Sequence, residues 1–274
     1  MSLTSALSSA ISGLTAASRS IDIVSANVAN AMTEGYARRE IHLASNTVGG
    51  DGAGVTVVGM SRVVNERALA DHREANANLS NAAAQADAWL AIEAAIGYPT
   101  EDGSLADRID RFEATLVAAA SRPEETVRLQ DAVTAAVSVA DAIKAVSDEI
   151  GQIRMDADAD IAAMVGQVNT QLEQVESLNL QIFRMKNGDQ DVAALMDERQ
   201  RIVGALSEII PVRQVERTGG QIALFTPGGA TLIDGPASEL SFSPTPTITA
   251  DMLVENGVPS GLELNGEPLS LNST

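Results

Sequence analysis

Near the start of the chain, apolar residues fall at Leu3, Leu7, Ala10, Leu14, Ala17, Ile21, Val24 and Val28. They are separated by alternating steps of four and three, the spacing that keeps one stripe of a helix turned toward a partner helix. The positions between are mostly Ser, Thr, Ala and Asn. Such a helix is too polar to span a bilayer and has too little apolar area to be stable alone. The pattern therefore predicts a heptad helix that needs something to lie against. Asn27 through Tyr36 follows, with Asn and Gly residues that tolerate left-handed backbone, and it predicts a helix stop and a turn.

Ala37–Leu43 alternates weakly and reads as a short strand, with Val55–Val58 as its partner. The glycines between Gly49 and Gly54 fit neither a dinucleotide nor a Walker register, and no helix opens after them, so they predict a flexible hairpin loop. From Ser61 to Ile96 the chain reads as an alanine-rich helix carrying Leu69, Leu79, Trp89, Ile92 and Ile96. Ser104 is expected to cap a helix with Leu105, Ile109, Phe112 and Leu116 on one face. Pro123 predicts the first turn of another helix. No proline interrupts Glu124 to Lys186. Apolar residues recur there at Ala136, Ala140, Ile143, Val146, Ile150, Ile153, Ala157, Ile161, Met164, Val168, Leu172, Val175, Leu178 and Ile182. A continuous helix of that span reaches roughly 90 Å, with Gly151 and Gly166 as places to bend. It needs lateral partners, and the spacing predicts antiparallel packing on the Ser61–Ile96 helix, with Phe112 and Leu116 beside it.

Asn187-Gly188-Asp189 is a stop. Asp189 or Asp191 is then expected to cap a shorter helix through Leu206. Seven of the nine prolines lie from Pro211 onward, where Val212–Glu216, Gln221–Phe225 and Ala230–Ile233 read as strands. Residues 236–274 read as irregular, with a strand at Gly261–Leu264. The fold class is thus mainly α. It combines an N-terminal heptad helix, an elongated antiparallel helical bundle with very long helices, and a small antiparallel β portion near the C-terminus. The segments divide as 1–60, 61–210 and 211–274.

Composition narrows the function. Aromatics make up 3% of the chain and the net charge is −19. A nucleic-acid binder exposes a basic face, and an anionic membrane repels an acidic chain; neither partner is expected. There is no cysteine, hence no disulfide and no thiolate metal site. No apolar run is long enough to cross a membrane, and Met1–Ser5 lacks the basic and apolar regions of a cleavable secretory signal. Taken alone, these features place the chain in the cytoplasm. His42 and His72 stand beside neither a nucleophile nor a metal-ligand spacing and read as structural. Asp156-Ala157-Asp158-Ala159-Asp160 resembles the start of a calcium loop, but Ile161 and Gln167 occupy the positions that need Gly and Glu, so a solvated acidic face is expected. No catalytic, cofactor-binding or metal residues are predicted.

One longer pattern changes the picture. Ser12-Gly13-Leu14, Asn27-Val28-Ala29-Asn30 and Thr33-Glu34-Gly35-Tyr36 resemble the N-terminal motif of the flagellar axial proteins of the rod, hook and hook-associated classes. Gly54–Val57 with Arg62–Asn65 resembles the family's next block. Ala193–Gln200, with Leu206–Ile210, resembles a block of the hook-associated protein 1 family at the hook–filament junction. The resemblance implies that residues 1–60 belong to the innermost tube of the axial structure, with Leu3, Leu7, Leu14, Ile21, Val24 and Val28 at the subunit interface. It implies as partners a ring of copies of the same chain, the hook protein, a second hook-associated junction protein and an export chaperone. It also implies export to the cell exterior through the flagellum's own type III channel, without cleavage. Family members end in a further heptad helix that pairs with the first; this sequence stops at Thr274 without it. The opening 35 residues are accordingly expected to order only on assembly. Two alternatives remain: a rod or hook protein of the same family, and a cytoplasmic coiled-coil adaptor.

Overall fold

The computed structural model describes residues 3–48, 51–188, 190–249, 251–252 and 261–269. It is mainly helical, in the order α1 (Leu3–Ala29), β1 (Arg38–Val48), β2 (Asp51–Val63), α2 (Glu66–Ile96), α3 (Leu105–Ser121), α4 (Thr126–Lys186) and α5 (Ala193–Ile209). Short strands follow: β3 (Arg213–Glu216), β4 (Ile222–Phe225), β5 (Thr231–Ile233), β6 (Leu240–Ser241), β7 (Glu263–Leu264) and β8 (Glu267–Pro268). All strand pairings are antiparallel, in sheets ordered β1-β2, β3-β4-β5 and β6-β7-β8. The chain divides into two compact units, one from Met1–Ala77 and Val168–Ser238, the other from Asn78–Gln167 and Glu239–Ser270.

The first unit holds the densest core. Val168, Leu172, Val175, Leu178 and Ile182 of α4 are buried, as are Ile202, Val203 and Leu206 of α5 and Ile222, Ala223, Leu224, Leu232 and Ile233 of the β3–β5 sheet. Each fully buried aliphatic side chain contributes about 1.5–3 kcal/mol by leaving water. The sheet is tied to α4 by a side chain that imitates a strand. Asn179 Nδ2 donates to the Ile222 carbonyl at 2.8 Å, and its Oδ1 accepts the Ile222 N–H at 3.1 Å. The bond from Arg199 Nη1 to the same Oδ1, at 2.7 Å, links α4 to α5.

In the second unit α3 and α4 form an antiparallel helical hairpin. Arg108 near the start of α3 reaches Ser138, and Arg128 near the start of α4 reaches the Ala118 carbonyl. Ser104 is the N-cap of α3, its hydroxyl accepting the Asp107 N–H at 3.2 Å. Later in this unit, Arg154 donates to the Thr249 and Met252 carbonyls and Asp158 accepts the Thr245 N–H, pinning the chain after the sheet to α4.

Several expectations need correction. The hairpin strands reach far beyond Ala37–Leu43 and Val55–Val58, and β2 begins within the glycine cluster, because the ladder continues through two register shifts. α2 starts at Glu66, since Ser61 to Val63 are still in β2. Pro123 lies in a turn ahead of α4 rather than in its first turn. α4 runs unbroken past Gly151 and Gly166. Asp191 Oδ1 accepts the Ala193 N–H at the start of α5, while Asp189 lies outside the described residues. A three-stranded sheet forms where only Gly261–Leu264 was read as strand. On α3, Ile109 and Leu116 are exposed, and the inward face runs through Leu105, Phe112, Thr115 and Ala119. On α4, Ile161 and Met164 are exposed while Asp158 is buried. The same seam is buried again from Val168 to Ile182, beside α5 and the β3–β5 sheet, so what lies against each stretch of α4, and not the spacing alone, decides its burial.

Candidate assembly face and its support

α1 presents two stripes. The apolar one, predicted from the heptad spacing, points away from everything else among the described residues: Leu3, Leu7, Leu14, Ile21, Val24 and Val28 are 59–93% exposed. The other consists mostly of small and polar residues, with Ile23 among them, and it is this one that the chain covers. Ser9, Ser12, Ser20, Ile23 and Asn27 are half-buried and Ala16 is 4% exposed. Residues two apart on a helix project about 200° from each other, so Leu14 and Ala16 face opposite ways.

The β1–β2 hairpin is what covers the polar stripe. Ser12 Oγ accepts the Val55 N–H at 3.2 Å and donates to the Ser9 carbonyl at 3.0 Å. Gly54, at φ +93°, lies so close that a Cβ there would overlap the Ser12 hydroxyl. Asn27 holds the other end. Its Nδ2 donates to the Arg39 carbonyl, and its Oδ1 accepts both the Arg39 N–H and the Tyr36 hydroxyl, all at 2.9 Å. Asn30 closes the helix end by donating to the Ala26 carbonyl at 2.9 Å and accepting from Thr33 at 3.3 Å. The Arg39 guanidinium stands 5.1 Å from the centre of the Tyr36 ring.

A carboxylate on α5 fastens this assembly to the helical part of the first unit. Asp197 Oδ1 accepts the Ala37 N–H at 3.2 Å and Arg62 Nε at 2.8 Å, and Oδ2 accepts Arg39 Nη2 at 3.2 Å. Arg62 also donates to Gln200 Oε1 at 2.9 Å. Gly35 makes the approach possible. Its φ is +78°, and an added Cβ would meet Arg201 Cβ at 3.1 Å and the Asp197 carbonyl at 3.3 Å. The side chains of Arg39, Arg62 and Asp197 are 19%, 14% and 13% exposed, so the two ion pairs are only weakly screened by water.

Of the motif residues, Ser12, Asn27, Asn30, Thr33, Gly35 and Tyr36 thus meet in one hydrogen-bonded turn-and-hairpin arrangement. Leu14 lies on the open seam, Gly13 is half-buried, and Ala29 ends α1 exposed. Sequence reasoning missed Asp197, Arg39 and Arg62. The available signals were that Asp197 falls inside the Ala193–Gln200 block and Arg62 opens the Arg62–Asn65 block; Arg39 had none. His42 and His72 are exposed, and His42 Nε2 lies 2.6 Å from Ser61 Oγ. Asp156 accepts from Gln152 at 2.7 Å, so the acidic run is solvated except at Asp158. Among the described residues no cluster of His, Cys, Asp or Glu could hold a metal ion, and no helix is long and apolar enough to cross a membrane.

The arrangement is that of a mainly helical chain whose opening helix is held on one stripe and bare on the other. The chain belongs to the family described as the flagellar hook-associated protein FlgK helical domain, which matches residues 91–263. A second family, described as flagella basal body rod protein, matches residues 7–36, the opening helix and its turn. The chain is 25% identical over 240 residues to flagellar hook-associated protein 1 of Escherichia coli, covering 85% of this chain and 44% of that protein. It is 26% identical to its counterpart in Salmonella typhimurium, with 85% and 43% covered. The Bacillus subtilis counterpart is 23% identical, with 83% and 47% covered. The chain therefore spans less than half the length of these relatives. A solved structure of the flagellar hook junction protein FlgK from Burkholderia pseudomallei aligns with a TM-score of 0.56 at 23% identity, over 63% of this chain and 30% of that one, which establishes a shared fold.

Proposed function

We propose that this chain is a structural axial subunit of the bacterial flagellum, placed at the junction between hook and filament. One observation carries the reading: the apolar stripe of α1 is bare while its polar stripe is held by the chain's own hairpin. A helix pinned on its polar side and open on its apolar side is oriented for a partner before the partner arrives, in place of the expectation that the opening 35 residues order only on assembly. Covering each Leu, Ile or Val of the seam is worth about 1.5–3 kcal/mol. Helices of neighbouring subunits complete the seam, giving a ring of copies bounded by the hook protein on one side and a second hook-associated junction protein on the other. Asp197 transmits the position of α1 to α5 and the α4 core. The action is mechanical, and no catalytic step is assigned.

On this reading the chain is kept by an export chaperone and leaves through the flagellum's own channel without cleavage, to reside outside the cell. The match over residues 91–263 to a hook-associated family supports the junction over a rod or hook position. The test is mass spectrometry of sheared flagella from cells carrying the parent or Leu14→Asp. The parent is expected in that fraction with its N-terminus uncleaved. The variant should remain folded in the cell and be lost from the flagella. Absence of the parent from the fraction, or incorporation of the variant at the parental level, overturns the proposal. An adaptor of the cytoplasm would stay with the cells in both cases.

A further inference from the structure

The unit formed by Met1–Ala77 and Val168–Ser238 contains a cleft of about 200 Å³ between the start of α2, α5 and the β3–β4 turn. Five cationic side chains line it, Arg62, Arg73, Lys186, Arg199 and Arg217, against two acidic ones, Glu66 and Glu216. In a chain of net charge −19 this is a local reversal. Two of the cations are already neutralised: Arg62 by Asp197, and Arg217 by a two-pronged pair with Asp234 at 3.0 and 2.8 Å.

Arg73 and Arg199 are different. They are 5% and 7% exposed. Arg73 Nη1 donates to Gln214 Oε1 at 2.9 Å, and its buried Nε has no partner among the described residues. Arg199 Nη1 donates to Asn179 Oδ1 and the Gly220 carbonyl, both at 2.7 Å. Every one of these acceptors is neutral. Among the described residues neither guanidinium forms a salt bridge. A buried cation with only neutral acceptors keeps much of its desolvation cost. Burial accordingly pulls Arg199 down to about 10, with nearby Arg62 acting in the same direction and Glu216 and Glu66 opposing.

We propose that this cleft is an oxyanion site that takes a free phosphate-class ion between Arg73 and Arg199, with Lys186 at its mouth. The planar guanidinium fork matches tetrahedral and carboxylate oxygens. The volume suits one such ion with a few waters and is too small for a nucleic-acid strand. A bound ion would offset the charge of the two guanidinium groups and tie α2, α5 and the β3–β4 turn together.

The test compares thermal melts of the parent and Arg73→Met in sodium phosphate and in sodium chloride at matched pH and ionic strength, with calorimetric titration of phosphate into the parent. Phosphate raises Tm nonspecifically by being excluded from protein surfaces, and that part will be common to both proteins. The parent should show an additional, saturating rise in Tm and a saturable heat. Arg73→Met should lose the additional rise while keeping its melting cooperativity in chloride. Arg199→Met should lose it too; if either variant fails to fold, the titration of the parent decides. No saturable heat in the parent, or the same phosphate-dependent rise in a folded Arg73→Met, overturns the site. A response to a polyglutamate peptide without one to phosphate also overturns it, in favour of a protein carboxylate as the occupant.

Discussion

Replacing Asp197 with Ala should separate the hairpin and α1 from the α4–α5 core. The substitution removes one acceptor from the Ala37 N–H and the only carboxylate within salt-bridge distance of Arg39 and Arg62 among the described residues. Breaking a fully buried ion pair costs about 3–5 kcal/mol because a charge is left without its counterion. Here the three side chains keep 13–19% of their exposure, so water recovers part of that cost. The buried Ala37 amide, on a residue 6% exposed, adds about 1 kcal/mol. The expected destabilisation is about 2–4 kcal/mol. Asp197→Asn, which still accepts hydrogen bonds but carries no charge, should fall between variant and parent. Urea unfolding monitored by circular dichroism gives the global value, and hydrogen exchange locates it. Protection should drop first across Arg38–Val48 and Asp51–Val63 and the α1 face carrying Ser12 and Asn27. A change below about 0.5 kcal/mol with hairpin protection intact would refute the idea that this carboxylate fastens α1 to the core.

Gly35→Val forces a β-branched residue to φ +78° and against Arg201; it should cost about 1–3 kcal/mol in a urea melt, and Gly35→Asn should cost less. Asn179→Ala leaves the Ile222 N–H and carbonyl without their side-chain partner inside the core, a loss of about 2–4 kcal/mol that should show as a lower unfolding midpoint. The uneven burial of the α4 seam predicts a contrast. Ile182→Asp, at a position 0% exposed, should destabilise by several kcal/mol, whereas Ile161→Asp, at 39%, should cost about 1 kcal/mol or less by the same melt.

Local signals in the sequence were strong where the chain obeys one rule over many residues. The proline-free run to Lys186 does become one helix of 61 residues, starting at Thr126. The Ser104 cap forms as its side-chain chemistry demands. Signals failed where a tertiary contact decides. Heptad spacing placed Ile161 inward and Asp158 outward, yet the Thr245 amide lies over Asp158 while Ile161 stays 39% exposed. The glycine cluster was read as a hairpin loop because it fits no phosphate-binding register and no helix follows it, but the ladder extends to Asp51. On α1 the apolar seam was plain, while the opposite stripe of Ser and Asn looked inert. Its value comes from Val55, Arg39 and Tyr36, residues whose approach no helical periodicity encodes. Asp197 is the extreme case: its partners lie 135 to 160 positions away, and an aspartate between Met196 and Glu198 on an amphipathic helix carries no mark of them.

The central claim is that the α1 seam is open in the free chain and closed in the assembly. Because the chain has no cysteine, Leu14→Cys gives a single thiol in the middle of that seam. Its maleimide labelling rate should be measured in the purified chain and in intact flagella carrying the same variant, with a Cys at exposed Ala29 as reference. The account predicts fast labelling at position 14 in the free chain and a drop of at least about tenfold, relative to the reference, in flagella. Equal rates in both states, or a slow rate already in the free chain, would contradict it.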